Sequence, residues 1–478
     1  MGGLRTPSIA VGLISVFLAY LYGTQVYRQL TIVGVFRTPA NTHVSADDTV
    51  VVIEGTKHCE DLHWHDPSQL LFTACEGPQT TRWSWWPPLA NHDDPTALQN
   101  ARGSLVVIDP KTQKSTELKF ENFKGPFVTH GIDIASAPEA SPGEKGVYIF
   151  AINHLPNPAV YGEYPYGPAK PGTWDLPRAA SQIEIFHHVV GSSRAIHLRS
   201  VKHDLIRTPN DIQIISGKMA QDGAKERPLQ FFVTNDHRYQ HGRWRQIEDL
   251  YPGAQWTDTV HVKLDSLDFA KDATAGVHAS IALNDMWNNN GLGYAKTTDE
   301  LLLTSAMGAK LYVGRPEEVG KGQPPRINIT DTVEFDSIVD NPSFFYDEAD
   351  PGSGGVVLAG VADVLSIPRH HKDVDSGINP VRVWFAQPRL VESSTLPGEK
   401  QRVWERTLLF EDDGSRIRTA STAVLVTVGP ASSLEKGAKG GRRQAWLYVT
   451  GFWAENMIAV KVDIPNPAGD PGRFGLSR

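Results

Sequence analysis

Three pairs of adjacent acidic or amide side chains could bind a cation. The pairs are Glu60-Asp61, Asn210-Asp211 and Asp340-Asn341, and each lies next to a short run typical of a β-strand. Neighbouring side chains of a strand point to opposite faces, so each pair can direct oxygen ligands to two different places. An Asn-Asp pair ahead of a strand is also common in turns, where its side chains bond the local backbone. The recurrence of the pattern favours calcium, which takes about six to eight oxygen ligands.

Composition limits the class of protein. The chain has 478 residues, of which 40% are apolar, and this is enough for a large core. Its net charge of −8 argues against a basic surface for nucleic acid. Two cysteines, Cys59 and Cys75, exclude a disulfide-dense scaffold. They could pair, closing a loop of about fifteen residues and adding ~3 kcal/mol of stability, or they could be two buried free thiols. The sequence leaves both alternatives open.

The N-terminal segment has the pattern of a signal peptide or signal anchor. No charged residue lies between Arg5 and Arg28, and residues 9–21 are almost wholly apolar. No clear Ala-x-Ala cleavage site follows, so we expect residues 1–30 to form an uncleaved membrane anchor; the alternative is a buried helix of the soluble part. The secretory route would place the rest in the lumen or outside the cell, and cleavage would make the protein secreted. The sequon Asn328-Ile329-Thr330 then becomes a glycosylation candidate.

Short strand-like runs fill residues 41–465. They are β-branched or aromatic, and turn residues bound them, as in 50–53, 147–152 and 381–385. With 42 Gly, 33 Pro and no break in composition, the pattern predicts one all-β unit, a β-propeller, and not a series of sandwiches. Two aromatic, proline-rich stretches, 78–103 and 156–178, are insertions. They could form a substrate wall or a membrane-facing rim, or they could cover the outside of the propeller.

Eight short motifs, taken in their order, resemble one protein family. They are Cys59-Glu60-Asp61-Leu62, Thr129-His130-Gly131-Ile132, Asn153-His154, Pro209-Asn210-Asp211-Ile212, Thr234-Asn235-Asp236-His237, Asn289-Asn290-Gly291-Leu292, Val339-Asp340-Asn341 and Ser421-Thr422-Ala423. This order resembles the serum paraoxonase/arylesterase family, whose members are calcium-dependent six-bladed β-propellers that hydrolyse lactones and aryl esters. The likeness extends from about residue 45 to 455. It implies a six-bladed propeller here.

The resemblance also implies two calcium ions. A catalytic calcium would be held by Glu60, Asn210, Asn290, Asp340 and Asn341. A second, structural calcium would be held by Asp61, Asp211 and the backbone carbonyl of Ile132. Carboxylates, amides and carbonyls together form the hard oxygen set that calcium prefers.

The catalytic histidines implied by the resemblance are His130 and His154. Calcium would polarise the ester carbonyl, and one imidazole would take a proton from water while the second passes it on. A carboxylate such as Glu60 could also be the base. Asp236 and His237 match a supporting pair of the family.

The sequence departs from the family at its cysteines and at one pocket position, and the two aromatic insertions have no obvious counterpart there. The family joins its chain ends by a disulfide, but no cysteine follows Cys75. We therefore expect strands near Val50 and Trp446 to close the propeller. Gly360-Val361 stands where some animal members have a Cys-His pair.

The predicted function is a calcium-dependent hydrolase of lactones and aryl esters. The predicted partners are a small-molecule lactone or ester substrate and a membrane bound through the N-terminal segment, but no nucleic acid. One alternative is a calcium-stabilised, membrane-associated propeller that acts as a binding module. Another is a gluconolactonase-like or strictosidine-synthase-like enzyme on a related scaffold.

Overall fold

The computed structural model describes residues 22–43, 49–77, 79–139, 143–215, 229–320, 322–347, 354–371, 373, 376–392, 399–427 and 444–465. In these residues the elements are mostly β-strands, and the helices are short, so the all-β prediction is confirmed. The helices are α1 (22–32), α2 (Gln79–Ser84), α3 (Pro158–Tyr161), α4 (Gly242–Leu250) and α5 (Ser366–His370).

The strands follow one another closely along the chain. The first ten are β1 (Thr42–His43), β2 (Val50–Ile53), β3 (Cys59–His65), β4 (Leu70–Cys75), β5 (Ser104–Asp109), β6 (Lys114–Glu121), β7 (Thr129–Ala137), β8 (Gly146–Asn153), β9 (Gln182–Val189) and β10 (Arg194–Val201). The next eight are β11 (Pro209–Ile214), β12 (Gln230–Asn235), β13 (Thr257–Leu264), β14 (Val277–Met286), β15 (Asn289–Ala295), β16 (Glu300–Ser305), β17 (Lys310–Glu318) and β18 (Pro325–Glu334). The last seven are β19 (Pro342–Phe345), β20 (Gly355–Val361), β21 (Val381–Glu392), β22 (Lys400–Asp412), β23 (Ala420–Thr427), β24 (Gln444–Gly451) and β25 (Met457–Asp463).

Hydrogen bonds group the described strands into five sheets, not six. Three have four strands: β11–β14, β15–β18, and β23–β25 with β2. A five-stranded sheet joins β19–β22 to β1, and an eight-stranded sheet joins β3–β6 to β7–β10 through the parallel pair β6–β10. The strands β3, β7, β11, β15, β19 and β23 contact one another in that order, and β23 returns to β3. The arrangement is propeller-like, with these six strands around one axis. Each of them begins a group of consecutive paired strands, and we call them the first strands.

The core lies between neighbouring sheets. Strands such as β8 and β16 are buried along their whole length because both of their faces pack against other strands. One apolar cluster, for example, joins Phe150 and Ile185 to Phe231 and Val260 of the following sheet. Continuous apolar runs, and not strict alternation, therefore mark the middle strands.

A strand from the N-terminal region, β2, joins the last strands of the chain in one sheet. Strand β2 pairs antiparallel with β25, with Val50 opposite Val460. This pairing is the closure expected in the absence of a disulfide between the chain ends. Cys59 and Cys75 lie opposite each other in β3 and β4 and form a disulfide, which decides between the two alternatives left by the sequence.

The predicted anchor falls largely on residues 1–21, which lie outside the described residues. Helix α1 continues it and docks on the propeller-like body. Arg28 donates to the carbonyls of Gly308 (2.9 Å) and Phe335 (3.1 Å), and Ile32 is buried in a core cluster. In the part of the chain that the structure describes, no helix has both the length and the hydropathy needed to cross a bilayer.

Removing β2 should destabilise the whole protein, because the edge of β25 would lose its partner and expose unpaired backbone groups. A chain that begins at residue 54 should melt at a lower temperature than one that begins at residue 44, which loses α1 and β1 but keeps β2. Thermal unfolding and size-exclusion chromatography measure the difference. Equal melting temperatures would show that β2 does not contribute to closure.

Candidate active site

Five buried oxygen atoms at one end of the first strands have no hydrogen-bond partner among the described residues. They are Glu60 Oε2, Asn210 Oδ1, Asn290 Oδ1, Asp340 Oδ1 and Asn341 Oδ1. A buried acceptor without a donor costs about 1–3 kcal/mol, so five together would be strongly destabilising without a compensating cation. The set of two carboxylates and three neutral amides matches the ligand preference of calcium. We call these residues the axial site; they are the residues predicted to hold the catalytic ion, and they fit it.

Contacts bring members of the axial site together across the ring. Asn341 Nδ2 donates to Glu60 Oε1 at 3.0 Å although the two residues are far apart in the chain. Burial, and then the charge of Asp340, raise the pKa of Glu60 well above its usual value. Burial also raises the pKa of Asp340. A cation at this position would reverse both shifts and keep the two carboxylates ionised.

Irregular pairing at the start of the first strands positions these side chains. The register shifts between Cys59 and Asp61 in β3, between Pro209 and Ile212 in β11, and between Asn289 and Leu292 in β15. A β-bulge turns side chains away from the regular alternation and is common next to active sites. The bulges in β3 and β11 therefore lie at the pairs Glu60-Asp61 and Asn210-Asp211. The third pair, Asp340-Asn341, precedes β19, whose pairing is regular, and both of its residues belong to the axial site.

Two glycines permit the close approach of neighbouring first strands. A Cβ on Gly131 would lie 2.4 Å from the Asn210 carbonyl oxygen, and one on Gly291 would lie 2.6 Å from Asn341 Cα. Any larger residue would push these strands apart. This spacing explains why the motifs that contain His130 and Asn290 both continue with glycine.

Deeper along the axis, three aspartates connect neighbouring first strands. Each accepts the N–H of the next residue in its own strand and one N–H of the following first strand. The second bonds are Asp61 to Ile132 N at 2.9 Å, Asp133 to Ile214 N at 2.5 Å and Asp211 to Leu292 N at 2.6 Å. The carboxylates thus connect β3 to β7, β7 to β11 and β11 to β15. The N–H of Ile132, whose carbonyl is predicted to bind an ion, is one of these donors.

His63 completes this deeper group. Ligand atoms of Asp61, His63 and Asp211 lie within 4.8 Å of one another, a grouping that could hold a metal ion. However, each oxygen of Asp61 already accepts two hydrogen bonds. Oδ1 accepts from Leu62 N and Thr422 Oγ1. Oδ2 accepts from Ile132 N and His63 Nε2. Imidazole nitrogen is also a poor ligand for a hard cation such as calcium. The residues present therefore fit the predicted structural calcium poorly.

The charge of His63 offers another way to balance these aspartates. Burial opposes protonation, but Asp61 and then Asp133 raise the pKa of His63 to about 9. Its Nε2 lies 3.0 Å from Asp61 Oδ2, and its Nδ1 lies 3.5 Å from Asp133 Oδ1. Because side chains two residues apart share a strand face, the spacing from Asp61 could have identified His63 in the sequence.

The two predicted catalytic histidines are neighbours. His154 Nε2 lies 3.1 Å from His130 Nδ1, and His154 Nδ1 lies 2.8 Å from Ser181 Oγ. His130 Nε2 faces the axial site, 3.9 Å from Glu60 Oε1. Burial lowers the pKa of His130 to about 4, against the opposing charge of Asp236, and burial followed by His130 lowers the pKa of His154. Both imidazoles are therefore neutral at pH 7.

The predicted supporting pair also lies nearby. His237 Nδ1 is 3.1 Å from Asp236 Oδ1, and its Nε2 is 2.7 Å from Asp249 Oδ1 in α4. Asp236 borders the same small space as His154. His237 thus orients Asp236, whose negative charge faces the histidine pair.

An aromatic roof covers the histidine pair. It consists of Trp85, Trp86, Tyr161, Tyr166, Phe452 and Trp453, which pack in one buried cluster. The ring of Trp86 lies edge-on to His130 with centroids 5.5 Å apart, and Trp85 Nε1 donates to the His154 carbonyl at 2.9 Å. The two aromatic insertions therefore form a wall over the site. Val361, at the position of the missing histidine, lies in the same cluster.

Sequence reasoning did not identify Arg82 and Ser181. Arg82 is fully buried below Trp86, 4.3 Å from its ring centroid, and donates to the carbonyls of His58 and Thr129. Burial lowers the pKa of Arg82 to about 10, while Glu76 and Glu60 act against this. The sequence around Arg82 does not predict its burial near Glu60, because the tryptophan-rich insertion contacts that part of the chain only after folding.

Comparisons with known proteins agree with the resemblance at a coarse level. No protein-family model matches the chain. Serum paraoxonase/arylesterase 2 of Gallus gallus is 21% identical over 254 residues, 53% of this chain and 54% of that protein. The Canis lupus familiaris protein of the same name is 21% identical over 262 residues, 54% of this chain and 56% of its own length. The chain thus spans about half the length of these curated relatives. It resembles the paraoxonases.

Solved structures give weaker similarities. A luciferin-regenerating enzyme aligns with a TM-score of 0.37 and 11% identity over 87% of this chain and 95% of that chain. The periplasmic gluconolactonase of Pseudomonas aeruginosa aligns with a TM-score of 0.35 and 11% identity over 85% and 88%. These values are too low to support an argument about fold or function.

The two depths of the axis should respond differently to mutation. Asp211→Ala would leave two buried N–H groups without acceptors and should lower the free energy of unfolding by about 2–4 kcal/mol. Asn290→Ala removes an oxygen that has no donor in the metal-free protein, so it should cost much less stability. Denaturant unfolding with a chelator measures both.

Calcium provides the complementary measurement. It should raise the melting temperature of the parent and of Asp211→Ala, but it should raise that of Asn290→Ala far less, because a ligand has been lost. An equal rise in Asn290→Ala and the parent would exclude Asn290 as a ligand.

Proposed function

We propose that the chain is a calcium-dependent hydrolase of lactones and aryl esters, built on a six-bladed propeller. The observation that carries the proposal is the group of five partnerless oxygens beside a buried, neutral histidine pair. The blade count treats the eight-stranded sheet as two four-strand units, β3–β6 and β7–β10, joined at their outer edges. The ring of six first strands supports this count.

Calcium at the axial site would polarise the ester carbonyl and stabilise negative charge on its oxygen. Glu60 and Asp340 would hold the ion by charge, and Asn210, Asn290 and Asn341 by their amide oxygens. Five protein ligands are fewer than the six to eight that calcium usually takes, so substrate or water can complete the set.

The histidine pair can take the proton of the attacking water. In the productive tautomer, Nδ1–H of His130 donates to His154 Nε2, and Nδ1–H of His154 donates to Ser181 Oγ. In this tautomer His130 Nε2, on the side of Glu60, would be the acceptor. The proton accepted there can leave along His154 and Ser181. The aromatic roof would keep bulk water away from this path.

The histidine pair favours a hydrolase over a pure binding module. A module that used calcium only for stability would need no buried base next to the ion ligands. A gluconolactonase-like enzyme is the second candidate, and a panel of lactones and aryl esters distinguishes it by the absence of aryl ester hydrolysis.

The proposed location is the lumen or the cell exterior, with membrane attachment through the part of the predicted anchor that precedes the docked residue Arg28. The Cys59–Cys75 disulfide supports an oxidising compartment. The side chain of Asn328 in the sequon lies exposed on β18, where a glycan could be attached.

We expect one calcium per chain and not the two implied by the resemblance, because N–H and hydroxyl donors and His63 occupy both Asp61 oxygens. Elemental mass spectrometry on desalted protein measures the stoichiometry. The variant Asn290→Ala should retain less than one ion. Two tightly bound ions in the parent would mean that calcium displaces His63 from Asp61.

His130→Gln should lower lactone hydrolysis by roughly 10²–10⁴-fold, as expected for a lost general base. The variant keeps a polar side chain of similar reach, so calcium binding should remain. His154→Gln should have a smaller effect, because water can replace a relay. Initial rates with saturating calcium measure both.

The pH dependence tests the same assignment. Because the pKa of His130 is lowered to about 4, the base is neutral at all higher pH. The parent should therefore show no loss of rate between about pH 8 and 5, where an ordinary histidine becomes protonated, and should lose activity only as the pH approaches 4. Parental rates in His130→Gln would make a carboxylate such as Glu60 the base.

A further inference from the structure

A lateral cavity lies beside the aromatic roof. Its volume is about 740 Å³, within the range of about 300–1,000 Å³ typical of small-molecule sites. Its lining includes Trp174, Tyr239, Trp244, Lys202, Arg238 and Arg243. None of these residues belongs to the axial site.

The aromatic part of this cavity is unusually exposed. The side chain of Trp174 is 75% exposed, and that of Trp244 is 57% exposed. Tyr239 stacks on Trp244, with centroids 6.1 Å apart and planes 25° apart, and this contact fixes the indole. Large exposed indoles grouped around a cavity are typical of a surface that binds an apolar ligand.

The charged part of the cavity is cationic in an acidic protein. Lys202, Arg207, Arg238 and Arg243 line it against only Asp175 and Asp204, whereas the whole chain carries a net charge of −8. Among the described residues, the side chains of Lys202, Arg238 and Arg243 make no hydrogen bond or ion pair. Arg207 pairs with Asp258, but its Nε is buried without a partner. Apart from the Arg207–Asp258 pair, the lining therefore carries three cations that make no ion pair among the described residues, against two carboxylates.

A thin partition separates the lateral cavity from the histidine pair. Ala179, Ser181, Arg207 and Gln240 line both the cavity and a space of about 10 Å³ that reaches His154 and Asp236. The Gln240 amide holds this partition together: Oε1 accepts from Ala179 N at 2.7 Å, and Nε2 donates to Ala179 O and Arg207 O, each at 3.1 Å. A ligand in the cavity would thus lie next to Ser181 and His154, the residues through which the proposed base His130 passes its proton.

We propose that the lateral cavity binds an amphipathic carboxylate, with its apolar or aromatic part against Trp174 and Trp244 and its carboxylate on Arg238 and Arg243. The inference rests on the proposed function only in taking the site next to the cavity to be the active site of a hydrolase. The carboxylate can come from two sources: a charged tail on the substrate, or the hydroxy acid that lactone hydrolysis releases.

Binding is measured first, without catalysis. Isothermal titration of the calcium-loaded protein compares phenylbutanoate with phenylbutanamide, which differ only in charge. The carboxylate should bind more tightly, and added salt should reduce the difference. Arg238→Glu with Arg243→Glu should weaken phenylbutanoate binding by roughly tenfold or more, because two partly exposed charge pairs are lost and replaced by repulsion.

The matched control reverses two cations elsewhere on the surface. Lys119→Glu with Arg326→Glu makes the same change of net charge, and neither residue lines the cavity; phenylbutanoate affinity should stay within about twofold of the parent, because distant exposed charges are screened. Trp174→Ala should weaken the binding of both ligands. Equal parental affinity for the two ligands, or equal loss in the two charge-reversal variants, would overturn the proposal.

Kinetics then distinguish the two sources of the carboxylate. For a charged substrate tail, Arg238→Glu with Arg243→Glu should raise the KM of a carboxylated lactone relative to that of its amide. For a bound product, the same variant should weaken inhibition by the hydroxy acid instead. Charge-dependent binding without hydrolysis of any lactone or ester would support a carboxylate site in the cavity and contradict the proposed function. Hydrolysis without charge-dependent binding would contradict the carboxylate site and support the proposed function.

Discussion

Five buried oxygen atoms that have no donor among the described residues constrain the rest of this molecule. A chain can keep so many unpaired acceptors only if the fold holds them in place and a cation compensates them. The fold does so by bringing the starts of the first strands together in a ring, with a bulge in each of β3, β11 and β15. The glycines at 131 and 291 allow the strands to approach closely enough. The axial site is therefore a property of the closed ring and not of any single motif.

The two depths of the axis satisfy their carboxylates in different ways. At the axial site, Glu60 Oε2 and Asp340 Oδ1 have no donor among the described residues and depend on a cation. Deeper in, Asp61, Asp133 and Asp211 accept backbone N–H groups from two strands each, so these hydrogen bonds stabilise the junctions between sheets. Burial, and then the charge of Asp61, raise the pKa of Asp211 well above its usual value. His63 adds a positive charge that can be present without metal. This division separates a region suited to bind and release ligands from one suited to hold the fold together.

Much of this arrangement could be predicted from the sequence, and the exceptions have physical reasons. The acid and amide pairs, the histidine pair and the strand-rich pattern depend on local order, which the chain displays directly. The merging of two strand groups through β6 and β10 depends on the outer edges of sheets, where local sequence says little about pairing. The docking of α1 was missed because Arg28 looks like a charge that flanks a membrane segment, whereas it bonds carbonyls of distant loops. His63 was missed because the motif was interpreted through its ion ligands alone.

Burial of the histidine pair links the chemistry to the way in which a substrate can approach. The aromatic roof that excludes water from His130 also lowers its pKa and keeps it neutral. The same roof covers the pair, so a ligand that reached His130 through it would have to displace Trp86 and Phe452, which pack against each other with centroids 5.1 Å apart. The partition at Gln240 is held by three hydrogen bonds to backbone groups, and exchanging them with water costs far less than opening an aromatic core. Approach from the lateral cavity is therefore energetically easier than approach through the roof, and it brings a ligand first to Ser181 and His154.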